Sequence, residues 1–217
     1  MVSGSCSGGD RMKRLLVIGE GRALGQAYAT ARESGLDCRR IELHSPDRYN
    51  FDLSPLFERH VASETEVFVA LDERAVNFAR HKLIAEVRLA GYGLLNIVSP
   101  RAIVSADVRL LGNVYVGPGC NLADRCSLGT GSWLSRQVVI ETGSRLGSCV
   151  TLDSGVLLGG GTEIGVGSTL GSGSVTLAGT KIGRYCEWFL PGVLPEFLPN
   201  RSFYDRLMPE GARILSN

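Results

Sequence analysis

The chain has 217 residues, with 23 Lys+Arg against 22 Asp+Glu and a formal net charge of +1. That length fits one large or two small domains, and the even charge balance excludes the broad basic footprint of nucleic-acid or anionic-membrane binding. No run approaches the ~18 consecutive apolar residues of a membrane span, and Met1–Asp10 lacks the basic-then-apolar order of a signal peptide, so a cytoplasmic protein with neither nucleic acid nor membrane as partner is expected.

Residues 1–12, small and polar, read as a flexible lead. Residues 13–98 read as a small α/β domain. Lys13 leads into the apolar run Leu15–Ile18, a buried parallel strand; Arg22–Ser34 is helical and stops at Gly35. Arg39–Leu43 and Val67–Leu71 are further strands, Glu73–Ala90 a second long helix, and Gly93–Val98 a last strand. Alternating strand and helix implies a Rossmann-like parallel sheet. Gly19-Glu20-Gly21, with Gly25 after it, occupies the first strand-to-helix turn, where helix N-terminal amides hold a nucleotide phosphate. Gly19, Gly21 and Arg22 are therefore the candidate nucleotide-binding residues. The spacing is GxGxxxG and Glu20 has the wrong sign beside a phosphate, with Arg22 to offset it, so a purely structural glycine turn stays open.

From residue 99 to 186 a period of six takes over. Every sixth residue from Val104 (Val104, Leu110, Val116, Leu122 and so on to Ile182) is Leu, Ile or Val in thirteen of fourteen cases. Four residues after each stands a small or β-branched side chain, from Val108 to Cys186. Gly follows the aliphatic in seven of the fourteen, as at Gly117, Gly129 and Gly147, and reads as the supplier of unusual turn angles. One inward aliphatic per six residues makes each face a short strand, and three faces close a triangular coil in which Leu122, Ile140 and Leu158 stack. This is the hexapeptide signature of an all-β left-handed parallel β-helix. The six cysteines carry no CxxC pair and read as small buried hydrophobes, not as a zinc or disulfide framework. After Cys186 the apolar, Pro-punctuated stretch within 187–217 reads as a capping tail that ends the repeats, with Ser202–Met208 as a short helix.

The Ser99-Pro-Arg-Ala-Ile-Val104 lead-in, the repeats, and Ile164–Val175 together resemble the hexapeptide acyltransferases that modify nucleotide-linked amino sugars, over roughly residues 13–186. The resemblance implies a nucleotide held by the N-terminal domain, acetyl-CoA or another acyl-CoA lying along the β-helix between subunits, and a homotrimer. It places the acyl-CoA along Gly160, Gly161, Ser172 and Ala178. The family motif Ile-Glu-His-Asp falls on Ile140-Glu141-Thr142-Gly143, so Thr142 stands at the position of the histidine base, and a second family histidine falls at Thr151. His44, His60 and His81 all precede the repeats, which removes the zinc-binding hexapeptide carbonic anhydrases from consideration and leaves no metal as the expectation. Thr is no base near neutral pH, so the catalytic candidates are the carboxylates Glu141 and Asp153, or a group from another subunit. Three readings follow: an acyl-CoA-dependent acyltransferase acting on an amino or hydroxyl group of a nucleotide-linked sugar or similar acceptor, a ligand-binding paralogue without turnover, and a trimeric scaffold.

Overall fold

The computed structural model describes residues 13–214; the lead 1–12 and Cys6 lie outside the described residues. Strands β1 (Arg14–Gly19), β2 (Cys38–Glu42), β3 (Thr65–Ala70) and β4 (Gly93–Leu94) form a parallel sheet in the order β2-β1-β3-β4. The apolar runs of β1 and β3 are buried on both faces. Helix α1 (Gly21–Glu33) covers one side through Ala23, Leu24, Ala27 and Ala31. The single turn α2 (Ser54–Phe57) and helix α3 (Phe78–Leu89) cover the other. The helix expected from Glu73 starts only at Phe78, because Ala75, Val76 and Asn77 adopt φ of 51°, 48° and 61°. Tertiary hydrogen bonds of Asn77 override local propensity there.

The strand expected over Gly93–Val98 divides in two. Gly93–Leu94 completes the N-terminal sheet against Glu66 and Val67, whereas Ile97–Val98 pairs with Tyr115–Val116 and opens the solenoid. From there the chain winds through two-residue strands in three parallel sheets. The first face carries Ile97, Tyr115, Trp133, Thr151, Thr169 and Glu187 outward, the second Ile103, Asn121, Val139, Leu157, Val175 and Val193, and the third Arg109, Ser127, Arg145, Glu163, Lys181 and Phe197. The next residue of each strand points inward, so Leu122, Ile140 and Leu158 pair in one column as the period requires. From Val114 on the small corner residues are buried, and their hydroxyls are satisfied by neighbouring carbonyls, as Ser168 Oγ donates to Gly183 O at 2.8 Å.

The glycines after the aliphatics have a different role from the one expected. A Cβ at Gly129 would stand 2.4 Å from the Gly147 carbonyl carbon, and one at Gly117 2.4 Å from Ser135 O. These positions are glycine because the next coil's backbone passes too close for a side chain. Positive φ falls two residues later, where Arg125, Gln137, Cys149 and Tyr185 adopt it as well as glycines.

The segment after Cys186 continues the ladder instead of ending it. Glu187–Trp188 and Gly192–Val193 pair one full coil back, on Thr169–Leu170 and on Ser174–Val175. Lys181 then pairs with Phe197 and Glu187 with Phe203, sixteen residues on instead of eighteen. Two residues are missing from the corner at Leu194–Glu196, which hides the coil from a strict count of six. Prolines sit at corners, where no ladder amide is needed. Ser202–Tyr204 is a strand, not a helix, and pairs antiparallel with Ala212–Arg213 to close the prism. Inside the last coil Trp188 lies 4.7 Å from Tyr204, ring centre to ring centre, and donates its indole N–H to Leu190 O at 2.7 Å.

Leu146 belongs to the solenoid core at 5% exposure. Leu146→Asp puts a carboxylate into a dry aliphatic column, and truncating such a leucine alone removes about 2–5 kcal/mol. The expected outcome is loss of the cooperative thermal transition by circular dichroism, with aggregated protein on gel filtration.

Candidate functional site

The N-terminal domain docks on the first face of the solenoid. Tyr115 and Trp133 stack at 4.2 Å between ring centres, Phe68 of β3 meets both, and Thr30 of α1 hydrogen-bonds the Tyr115 hydroxyl at 2.9 Å. Asn113 exchanges two hydrogen bonds with the Val69 backbone, at 2.6 and 2.9 Å. This seam leaves a cleft of about 900 Å³ between the C-terminal end of β3, one face of α1 along its length and the corner following the first face. Its floor is Tyr115, Trp133 and Thr151. Arg22, Gln26 and Glu33 of α1 form one wall, Asp72, Glu73 and Arg80 another, and Ser135, Arg136, Asp153, Ser154 and Ser172 the rim. Past Arg22 and Asp72 a recess of about 560 Å³ continues over the ends of β1 and β2, to Gly21, Glu42, His44, Ser45 and Arg74.

Charge is unevenly shared across this space. Arg74 reaches Glu20 at 2.5 Å and Asp72 at 2.5 Å, so the acid at the start of α1 is neutralised. Burial pushes the Asp72 carboxyl up, but the Arg74 hydrogen bonds and charge outweigh it and hold it low. Asp153 has no such partner. Burial raises its proton affinity, the Glu73 charge raises it further, and Arg22 opposes both. Glu187, on the first face two coils beyond Thr151, is raised by burial and by Glu73, against a hydrogen bond from the Val76 N–H. Beside these acids lies Arg80, 1% exposed. Its guanidinium donates to Asn77 Oδ1 (2.6 Å), Thr151 Oγ1 (2.7 Å), Leu71 O and Cys149 O, all uncharged acceptors. Burial pulls its proton affinity down.

The candidate residues of the sequence divide between two edges of the prism. Asp153, Ser172 and Arg22 line the cleft, and Gly21 and Arg22 line the recess. Gly19 lines neither: a Cβ there would stand 1.9 Å from Ala70 O, so packing against β3 fixes its identity. Glu141, Thr142, Gly160, Gly161 and Ala178 stand at the other corner, between the second and third faces. Coil-to-coil bonds align them, Gly161 N–H to Thr142 O at 3.0 Å and Gly179 N–H to Gly160 O at 2.9 Å. Thr151, at the second family histidine position, is bound into the Arg80–Asn77 network. Sequence reasoning missed Glu42, Glu73, Arg74 and Arg80. Glu42 had a signal, an acid closing the second strand about 20 residues past a glycine turn; Arg80 had none, as one basic residue in a helix. Among the described residues no group of three or more His, Cys, Asp or Glu could hold a metal ion, and no helix is long and apolar enough to cross a membrane.

No protein-family model matches the chain, and no curated protein matches it by sequence. Solved structures do. A variant of GDP-perosamine N-acetyltransferase from Caulobacter crescentus, in complex with CoA and GDP-perosamine, is 25% identical at TM-score 0.62, over 88% of this chain and 93% of that one. The acetyltransferase domain of PglB from Neisseria gonorrhoeae is 20% identical at TM-score 0.62, over 88% and 95% of the two chains, and is also known in complex with acetyl coenzyme A. WeeI from Acinetobacter baumannii, 14% identical at TM-score 0.57 over the same shares, matches in fold alone. An α/β domain docked on a triangular solenoid thus gives this chain the fold of the hexapeptide-repeat, left-handed β-helix acyltransferases, which are its structural neighbours.

Proposed function

We propose that the chain is an acyl-CoA-dependent acyltransferase that acylates an amino or hydroxyl group of a nucleotide-linked sugar. The observation that carries this is Asp153, a half-buried carboxylate with raised proton affinity on the rim of a cleft large enough for a sugar nucleotide. The likeness to a 25% identical transferase in complex with CoA and GDP-perosamine supports the substrate class. In this reading Gly21 and Arg22 at the start of α1 hold the phosphates, with Arg74 masking Glu20, and Glu42 receives ribose hydroxyls. The sugar lies on Tyr115 and Trp133. Asp153 accepts the proton released as the acceptor nitrogen or oxygen bonds to the acyl carbon and the carbon–sulfur bond breaks.

Acetyl-CoA supplies the activated acyl group. The corner at Thr142 and Gly160 fits it sterically: a Cβ at Gly161 would meet nothing within 4 Å, and one at Gly160 would meet Thr142 O at 3.5 Å and Glu141 Cβ at 4.0 Å, both ordinary contacts. That leaves an open ledge where a pantetheine arm can lie against the backbone. The ledge and the Asp153 cleft are on different edges of one chain, so a site using both requires two copies. The second face lies between those edges and presents Ile103, Val139, Leu157, Val175 and Val193 outward, with Ile103 and Val193 at least 60% exposed. An apolar stripe of that kind supports a homotrimer, and five free buried cysteines support a reducing compartment, the cytoplasm.

The test is a melt with acetyl-CoA, GDP-perosamine and UDP-linked amino sugars, followed by a thiol-release assay. A ligand at a hundred times its Kd adds about 2.7 kcal/mol, a clear rise in melting temperature. Stabilisation by acetyl-CoA with thiol release supports transfer. Stabilisation without release favours a binding paralogue, and no stabilisation leaves the scaffold reading.

A further inference from the structure

Among the described residues, the segment joining β3 to α3 holds the one run of consecutive non-glycine residues at positive φ. Ala75, Val76 and Asn77 are consecutive residues at positive φ without a glycine among them, and a β-branched residue such as Val76 is a genuine outlier there. Strain of this kind persists only where the surroundings over-determine it, and here they do. The Asn77 side chain, fully buried, donates to Gly167 O at 3.1 Å and to Thr169 Oγ1 at 3.0 Å, and accepts from Arg80 and Thr151. The Val76 N–H binds Glu187. Gly167 leaves room for the Val76 carbonyl, which would stand 2.9 Å from a Cβ at that position. The turn closes with Asn77 N–H donating to Glu73 O at 3.1 Å.

Five side chains and a corner glycine thus fix the backbone next to Glu73. Arg74 turns away from it, to Glu20 and Asp72. Glu73 is left lining the cleft with no ion pair among the described residues, and Asp153 lines the same cleft within reach of its charge. The Arg80–Thr151 hydrogen bond ties the same turn to the strand that ends immediately before Asp153.

Resting on the transfer reading above, we infer that Glu73 is a positioning residue for Asp153: the clamped left-handed turn holds one carboxylate opposite the other, so that Asp153 retains a proton taken from the acceptor. The charges facing Asp153 are Glu73 from this turn and Arg22 from α1, with Asp72, Arg80 and Arg136 also on the cleft walls. As the new carbon–nitrogen or carbon–oxygen bond forms and the carbon–sulfur bond breaks, the acceptor's proton passes to Asp153. From there it goes to the departing thiolate, directly or through water, and the net products are the acylated acceptor and the free CoA thiol. A like charge opposite Asp153 strengthens it as a base; removing Glu73 weakens it.

The experiment follows the Asp153 carboxyl by carbon-13 NMR in protein labelled at Asp carboxyls, the signal assigned by its loss in Asp153→Asn. In Glu73→Gln the titration midpoint is expected to fall. In Arg22→Gln it is expected to rise. Val76→Gly tolerates positive φ and keeps the fold while loosening the turn, so a smaller fall is expected there. Glu73→Asp should recover part of the wild-type value. A midpoint unmoved in both Glu73→Gln and Val76→Gly overturns the inference, whatever the activity. In the companion assay with acetyl-CoA and GDP-perosamine, the acid limb of the kcat profile should move to lower pH in Glu73→Gln, with a several-fold lower plateau. If Asp153→Asn keeps full turnover while the NMR shifts occur, it is the assignment of Asp153 as base that fails, and the electrostatic coupling stands without a catalytic role.

Discussion

Asp153→Asn is expected to lower kcat by about 10²–10⁴-fold, the usual contribution of a positioned general base, while the protein melts at an equal or higher temperature. The two effects have one cause. Burial raises the folded-state proton affinity of Asp153 above its ordinary 3.8 and that of Glu187 above 4.5, with Glu73 adding to both. A carboxylate raised in this way favours folding fully below its unfolded pKa, and that contribution disappears as pH climbs through the folded value. As pH rises, ionising either group works against its surroundings, so an isosteric amide relieves the fold while it removes the base. KM for the acceptor should change little, because Asn keeps the shape and one acceptor oxygen. A melting curve across pH 4–8 gives the check: the wild-type stability should fall relative to Asp153→Asn as pH rises. Full activity in the variant, or an equal pH dependence in both proteins, contradicts the assignment.

The period of six made the solenoid legible because each coil repeats one constraint, a single inward aliphatic followed by a small corner residue. Leu122, Ile140 and Leu158 could be stacked from sequence alone for that reason. The same rule failed at Leu194–Glu196, where two residues are missing and the register resumes one coil on. It also assigned the wrong work to Gly117 and Gly129, since the closeness of a coil eighteen residues away leaves no mark in local backbone preference. In the N-terminal domain, strands and helices followed from apolar runs and stops, whereas the left-handed turn at Ala75–Asn77 did not. The stretch reads as the start of a helix, and the contacts of Asn77 with Gly167, Thr169, Thr151 and Arg80, and of Val76 with Glu187, hold it otherwise. The site was half legible for a related reason. Asp153 could be picked as a carboxylate at a corner, but its partners Glu73 and Arg22 arrive from another domain, and no spacing in the chain announces them.

Mixing two inactive variants is expected to restore activity if the site is built from two chains. Gly160 has room for a side chain, its nearest contact being Thr142 O at 3.5 Å from a Cβ. Gly160→Phe should therefore fold, fill the ledge and stop acyl-CoA from lying along it. Asp153→Asn removes the base at the other edge of the prism and leaves the ledge intact. Each variant alone is expected to show little turnover. When equal amounts are unfolded and reassembled together, a site between neighbours is intact only where one chain supplies an unaltered cleft and the next an unaltered ledge. Random assembly of a cyclic oligomer makes that combination in about a quarter of the sites. Thiol release should accordingly recover to about a quarter of the wild-type rate, and sedimentation should give three chains per particle. Reassembled particles that remain inactive would mean that the cleft and the ledge serve one chain separately, or that acyl-CoA lies elsewhere. The two are told apart by whether Gly160→Phe still gains stability from acetyl-CoA.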